Sequence, residues 1–199
     1  MSYAIIGFGQ IGRALAKAFA RKGIEVSVAT TRAPESFASD AAAIGPAVIP
    51  AHLAQAVKAD VIFLAVRFES HPDVAKALLS WKGKTIIDVM NTFATTEELD
   101  GLPSSAAVAK TFSGARLVKG FNHLAAAVLD QNPAVEGGRR VVFLSSDDAE
   151  AVPPVAALAE RLGFAPVNLG RLEEGGALVH ARDKVWGPLI FQDLFKAES

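Results

Sequence analysis

Tyr3-Ala4-Ile5-Ile6-Gly7-Phe8-Gly9-Gln10-Ile11-Gly12 is the stretch whose reading decides the fold. Its first four residues carry no charge and suit a buried strand. Ile11, Leu15, Ala18 and Phe19 then recur at helical spacing until Gly23, which can end a helix. Between strand and helix stands G-x-G-x-x-G. Glycines gather in any tight turn, but directly after a strand and at the opening of a helix the pattern is the fingerprint of a dinucleotide-binding turn. Gly7 permits the turn, Gly9 lets the backbone approach a pyrophosphate, and Gly12 lets the helix pack on the strand. The N–H groups of Gln10 and Ile11 point at that phosphate from the positive end of the helix. The loop, with Phe8 included, supplies the first set of candidate cofactor residues.

Outward from this loop the chain alternates short apolar runs with helical patterns. Glu25 to Thr30 reads as the second strand, and a helical stretch follows around Phe37 to Ile44. Val61-Ile62-Phe63-Leu64-Ala65-Val66 is a strand buried on both faces. Pro72 opens a helix expected to turn Val74, Leu78 and Leu79 inward. Thr85 to Val89 and Arg116 to Phe121 are two further strands, with a short helix near Val108 and Phe112 between them. Repeated strand–helix–strand units predict an α/β, Rossmann-type doubly wound, mostly parallel sheet with helices on both faces.

Residues 1–125 form its core. Beyond Asn122, Arg140 to Ser145 and Pro166 to Leu169 are expected to extend the sheet. A helix between them ends at Leu162-Gly163 and starts or kinks at Pro153-Pro154. Gly187-Pro188 is expected to open a final helix carrying Leu189, Ile190, Leu194 and Phe195. No linker separates these parts, so residues 1–199 read as one domain in which 126–199 complete the sheet and its cleft.

Composition narrows the function classes. Hydrophobic residues make up 51% and charged residues 21% of the chain, a globular balance. A net charge of −1 without basic or acidic runs argues against nucleic acid or an anionic membrane as partner. The absence of cysteine excludes disulfides, thiolate metal sites and a cysteine nucleophile, and agrees with a reducing compartment. The longest apolar stretch, Ala41 to Ala51, is broken by Gly45, Pro46 and Pro50 and is too short to span a bilayer. No basic segment precedes the first strand, so the expected location is the cytoplasm.

The end of the second strand discriminates between nicotinamide cofactors. An NAD site usually places an acid there for the ribose 2′-OH. This chain has Thr30-Thr31-Arg32 and no acid before Glu35. Two hydroxyls and a guanidinium suit a 2′-phosphate, which points to NADP(H). Further cofactor contacts are expected at the carboxyl ends of the next strands, from Ala65, Val66 and Arg67 and from Asn91 and Thr92. Asn91 can equally cap the turn that follows.

On these residues the chain resembles the NADPH-dependent reductases of the deazaflavin coenzyme F420 and the wider F420-dependent NADP oxidoreductase family. The likeness rests on the Gly7–Gly12 loop, Thr30-Thr31-Arg32, Asp60 to Val66 and Ile87-Asp88-Val89-Met90-Asn91. It is carried most distinctively by Arg116-Leu117-Val118-Lys119-Gly120-Phe121-Asn122-His123 and by Gly163-Phe164-Ala165-Pro166-Val167-Asn168-Leu169-Gly170. The resemblance implies hydride transfer between NADP(H) and a small-molecule acceptor, a deazaflavin such as F420 or a flavin, stacked on the nicotinamide. It implies that Asn122, His123 and Leu124 line the cleft by the nicotinamide, with Phe68 on the other side. Arg67 stands where the family usually has proline, and Thr92 where Asn-Pro is common, so the acceptor is left open. The family forms dimers whose C-terminal elements help enclose the cleft.

No catalytic residue is assigned; His123 is the best candidate, as a group that orients the acceptor or supplies a proton, the alternative being a histidine bonded locally in a loop. His52, His71 and His180 lack metal-ligand spacing, and no metal is expected. Asp147-Asp148, Glu173-Glu174 and Ser104-Ser105 read as caps or solvated faces. Two other functions stay open: a non-catalytic NADPH sensor, and a small NADP-dependent dehydrogenase of another substrate. Trp186, Leu189, Ile190, Phe191, Leu194 and Phe195 concentrate apolar surface near the C-terminus, which predicts a homodimer.

Overall fold

The computed structural model describes residues 1–95, 97–99, 101–135, 137–182 and 185–197. The first half is built as β1 (Tyr3–Ile6), α1 (Gln10–Arg21), β2 (Val26–Ala29), α2 (Ala38–Ile44), β3 (Val48–Pro50), α3 (Leu53–Ala56), β4 (Val61–Leu64) and α4 (His71–Ala75). β5 (Thr85–Asp88), α5 (Ser104–Thr111), β6 (Arg116–Gly120) and α6 (Ala126–Leu129) follow. The C-terminal part comprises β7 (Ala134–Val135), β8 (Gly138–Ser145), α7 (Val152–Arg161), β9 (Ala165–Asn168), α8 (Gly175–Leu178), β10 (Ala181–Arg182), β11 (Val185–Trp186) and β12 (Phe195–Ala197).

Among the described residues the main sheet runs β12-β8-β6-β5-β4-β1-β2-β3, with β7 and β9 also paired to β8. β1 to β6 are all parallel. β8 turns back antiparallel to β6 and takes β9 parallel and β12 antiparallel. The chain winds outward from β1 to β3, then crosses to β4 and winds the other way. The crevice between the exits of β1 and β4 is therefore the switch point at which such sheets bind ligands. Among the described residues no helix is long and apolar enough to cross a membrane.

The strands read as unbroken apolar runs because both faces are covered. Ile5, Phe63, Ile87 and Val118 face one core, Ala4, Ile6, Ile62, Leu64 and Ile86 the other, with the period of two that a strand imposes. An aromatic chain crosses the first core: Phe19 meets Phe63, Phe63 meets Phe121 and Phe121 meets Phe164, each pair edge-on with centroids 5.7 Å apart. Such edge-to-face pairs add to the burial itself. Phe164 thereby ties the C-terminal third to the N-terminal half.

Three expectations require correction. Val48–Pro50, passed over as part of a broken apolar stretch, is an outer strand on β2, where proline is tolerated at a sheet edge. The helix after Pro72 stops at Ala75, and Leu79 is fully exposed instead of inward. The final helix does not form. Residues 188–191 make a turn, Phe191 takes φ 58, and β12 pairs with the beginning of β8. The cause is tertiary: Arg140, buried on β8, grips Asp193 through two nitrogens at 2.7 and 3.2 Å and so pulls the tail alongside the sheet edge. Pro153 and Pro154 do open α7 instead of kinking it, as the first turn of a helix allows.

Candidate functional site

The three loop glycines are required for different reasons. Gly7 has φ 104, and a Cβ built there would lie 2.2 Å from the Ala65 carbonyl oxygen. That closeness shows how tightly the β1 turn is pressed on the exit of β4. A Cβ on Gly12 would lie 1.9 Å from the Gly7 carbonyl oxygen, so glycine is what lets α1 start so near the strand. Gly9 has an ordinary extended backbone, φ −79, and a Cβ there would meet nothing within 4 Å. Protein packing does not demand a glycine at this position; a ligand lying against the loop would.

α1 begins at Gln10 with Gly9 as its N-cap and no side-chain cap. The first intrahelical bond is Arg13 N–H to the Gly9 carbonyl at 2.9 Å, so the amides of Gln10, Ile11 and Gly12 lie outside the helix's own bonding pattern. No acid stands in the first turn to occupy them. The Phe8 side chain instead faces inward, against Phe37 and under the Arg13 guanidinium, which leaves only its backbone to the loop surface.

At the exit of β2, Thr30 Oγ1 accepts the Arg32 N–H at 3.0 Å and folds the segment into a short turn. Thr31 and Arg32 are exposed, and the Arg32 guanidinium lies 5.9 Å from the centroid of Phe37. Among the described residues Arg32 makes no ion pair. It is an exposed cation that follows Thr30 and Thr31 at the exit of β2.

On the other side of the switch point a cleft of about 760 Å³ is lined by Arg67, Phe68, His71, Asn91, Thr92 and Phe93, among others. Ala65 and Val66 lie half-buried at its β4 end. Phe93 is 63% exposed and meets Trp186, which in turn meets Phe191, making an aromatic rim. His71 is engaged structurally, Nδ1 with the Phe68 carbonyl and Nε2 with Thr111 at 3.1 Å. Among the described residues no group of three potential metal ligands forms.

The expected cleft residues Asn122, His123 and Leu124 are all buried, so their side chains stand behind the cleft surface. Asn122 sits one layer back: its Nδ2 donates to Asn91 Oδ1 at 2.9 Å and to the Val179 carbonyl at 2.7 Å, while Asn91 Nδ2 donates to the Asn122 carbonyl at 2.9 Å. Asn91 is thereby held by Asn122, which reaches the cleft only through it. His123 has no exposed surface, lies tilted against Phe143 with ring centroids 4.6 Å apart, and is covered by the tail, whose Phe191 N–H donates to its carbonyl at 2.7 Å. Among the described residues neither ring nitrogen makes a hydrogen bond of ordinary geometry. Burial lowers its pKa to about 4, and the nearby Val141 backbone and Asp193 offset this only in part. A neutral ring walled off from the cleft is not a proton donor to a substrate there.

Ser105, read as a cap, is instead buried within α5, where its Oγ donates to Asp88, and Asp88 and Lys119, quoted only for the resemblance, meet it in the interior behind the cleft. The signal was present: one acid and one base interrupt apolar strands at matching depth.

Comparison with known proteins agrees with this geometry. Residues 2–92 match the family model described as NADP oxidoreductase, coenzyme F420-dependent. A hypothetical protein from Sinorhizobium meliloti superposes with a TM-score of 0.90 and 37% identity, over 98% of this chain and 96% of that one. A structure assigned to an F420-dependent NADP reductase of Arthrobacter sp. FB24 gives a TM-score of 0.67 at 27% identity, covering 87% and 86%. Metalloreductase STEAP2 of Mus musculus is 31% identical over 172 residues, 84% of this chain. The chain spans 33% of that curated relative's length. With the glycine turn, the switch-point cleft and the cation after β2 in place, residues 2–92, just under half of the chain, are similar to the coenzyme F420-dependent NADP oxidoreductases.

Proposed function

We propose that the protein transfers a hydride between NADP(H) and a flat acceptor of the deazaflavin or flavin type, held in the cleft at the exits of β4 and β5. The observation that carries this reading is the empty side-chain space at Gly9, set between a cationic turn on one side and an aromatic-walled cleft on the other. The residues fit the cofactor. Gly7 and Gly9 admit its pyrophosphate, the amides of Gln10, Ile11 and Gly12 bind it, and Thr30, Thr31 and Arg32 hold the 2′-phosphate. Ala65, Val66, Arg67, Asn91 and Thr92 enclose the nicotinamide end, and Phe68 and Phe93 offer faces to a planar acceptor.

When bound, the reduced nicotinamide supplies the hydride; the protein's contribution is orientation and exclusion of water. The titratable groups lining the cleft are Arg67, Glu69, His71 and Glu98: His71 is committed to Phe68 and Thr111, Glu98 accepts the Thr95 N–H, and Glu69 and Glu98 stay exposed to solvent.

The continuous sheet from β3 to β12 supports reading the chain as one domain. Leu189 and Ile190 dock on their own subunit, whereas Trp186, Phe191, Leu194 and Phe195 stay exposed, which supports a homodimer formed around the aromatic rim. A cytoplasmic location accords with the absence of cysteine. The test is a screen under NADPH with coenzyme F420, FAD and FMN, followed at the reduced-nicotinamide absorbance band. Oxidation with at least one of them is the expected result. Tight NADPH binding without oxidation by any acceptor, metal chelates included, would replace the enzyme by a sensor.

A further inference from the structure

Asp88 and Lys119 are register partners on neighbouring parallel strands, the last residue of β5 and the next-to-last of β6. Both are almost wholly buried. The Lys119 ammonium donates to Asp88 Oδ2 at 3.2 Å and to the carbonyl of Met90. Asp88 Oδ1 accepts the Met90 N–H at 2.9 Å, and Ser105 Oγ donates to Asp88 Oδ2 at 2.8 Å. The ion pair thus takes both backbone groups of a single residue, Met90. The next residue, Asn91, lines the cleft and forms the reciprocal bridge to Asn122, three positions beyond Lys119. Two polar rungs, 88–119 and 91–122, hold the exits of β5 and β6 together where the cleft wall begins.

Energetics make the first rung informative. Burial depresses the Lys119 pKa, with Asp88 opposing it, so the ammonium is kept at a desolvation cost. An apolar pair of similar size would fold about as well in a sheet already covered on both faces. What it would not supply is a fixed orientation for the Met90 peptide, which has no strand partner beyond the end of β5.

We infer that Asp88 and Lys119 are positioning residues: they lock the Met90 peptide and so set the Asn91–Thr92 wall against which the nicotinamide is oriented, without touching the cofactor. This rests on the reading that the cleft takes the nicotinamide.

The test uses the full chain with Asp88→Asn and Lys119→Met combined, which removes both charges and keeps the volume. Bound NADPH is followed by its own emission and anisotropy, and turnover is measured with an acceptor that the wild type reduces. The combined variant keeps NADPH affinity within about threefold, because the pyrophosphate and 2′-phosphate contacts are distant. It loses the emission gain of an ordered nicotinamide, and kcat falls by about tenfold or more while KM for NADPH barely moves. A folded variant with unchanged emission and kcat overturns the inference. Should the combined variant melt, Ser105→Ala decides the same point. Faster hydrogen exchange at the Met90 and Asn91 amides with weaker NADPH emission supports it, and unchanged exchange and emission overturn it. Failure of the wild type to bind NADPH would instead sink the underlying functional reading, so the two failures are distinct.

Discussion

Alanine placed at Gly7, Gly9 and Gly12 in turn separates a glycine kept for folding from one kept for a ligand. At Gly9 the added methyl meets nothing within 4 Å and the backbone is one that alanine adopts freely. Folding therefore loses nothing and gains about 0.4–1 kcal/mol from the reduced freedom of the unfolded chain. The same methyl occupies the space into which a pyrophosphate must come. Displacing it from two amides, each charged hydrogen bond worth about 1.5–3 kcal/mol, costs at least about 3 kcal/mol, or roughly 150-fold in affinity. At Gly12 the methyl falls 1.9 Å from a backbone oxygen, and at Gly7 2.2 Å from another with φ already at 104. Either contact forces the start of α1 off the strand, at about 3 kcal/mol or more. For a chain of this size that lowers Tm by about 6–12 °C. The assay is thermal melting with and without NADPH, and NADPH titration by fluorescence. Gly9→Ala should melt at or above the wild-type temperature yet show no NADPH-induced shift; Gly7→Ala and Gly12→Ala should melt lower. Wild-type affinity in Gly9→Ala, or a melting loss there equal to that of Gly12→Ala, refutes the argument.

Arg32→Ala should weaken NADPH by about 10- to 150-fold and leave NADH nearly unchanged, since one charged hydrogen bond to the 2′-phosphate is lost; equal losses for both cofactors in parallel titrations would make Arg32 structural. His123 gives an acid-sensitivity prediction: its folded pKa of about 4 lies below the ordinary 6.5, so its contribution is fully present above pH 6.5 and fades as pH falls towards 4. The loss approaches about 3 kcal/mol, and His123→Leu should flatten the pH dependence of urea midpoints over that window; an unchanged slope would place the acid sensitivity elsewhere. For the aromatic rim, sedimentation of the full chain should show a dimer that Trp186→Glu with Phe191→Glu dissociates. A wild-type monomer at micromolar concentration would dispose of the dimer.

Local order was legible in the sequence where one rule governed. The apolar run at Val61–Leu64, the glycine turn after Ile6 and the proline pair opening α7 each carry their meaning within ten residues, and the cation in place of an acid after β2 is read just as directly. Misreadings arose where distant groups outvoted local pattern. Leu189, Ile190, Leu194 and Phe195 have a helical rhythm, yet Arg140, some fifty positions away, binds Asp193 and lays the tail along the sheet edge. His123 sits in the loop expected to line the cleft, but the tail covers it and Asn91 takes the forward place. Strand periodicity says which face a residue occupies; it does not say which later segment will close over that face. The glycine turn was therefore open to reading in one dimension. The depth of Asn122 and His123, and the lock of Asp88 and Lys119 on Met90, were decided only when the exits of β4, β5 and β6 came side by side and the C-terminal segment packed across them.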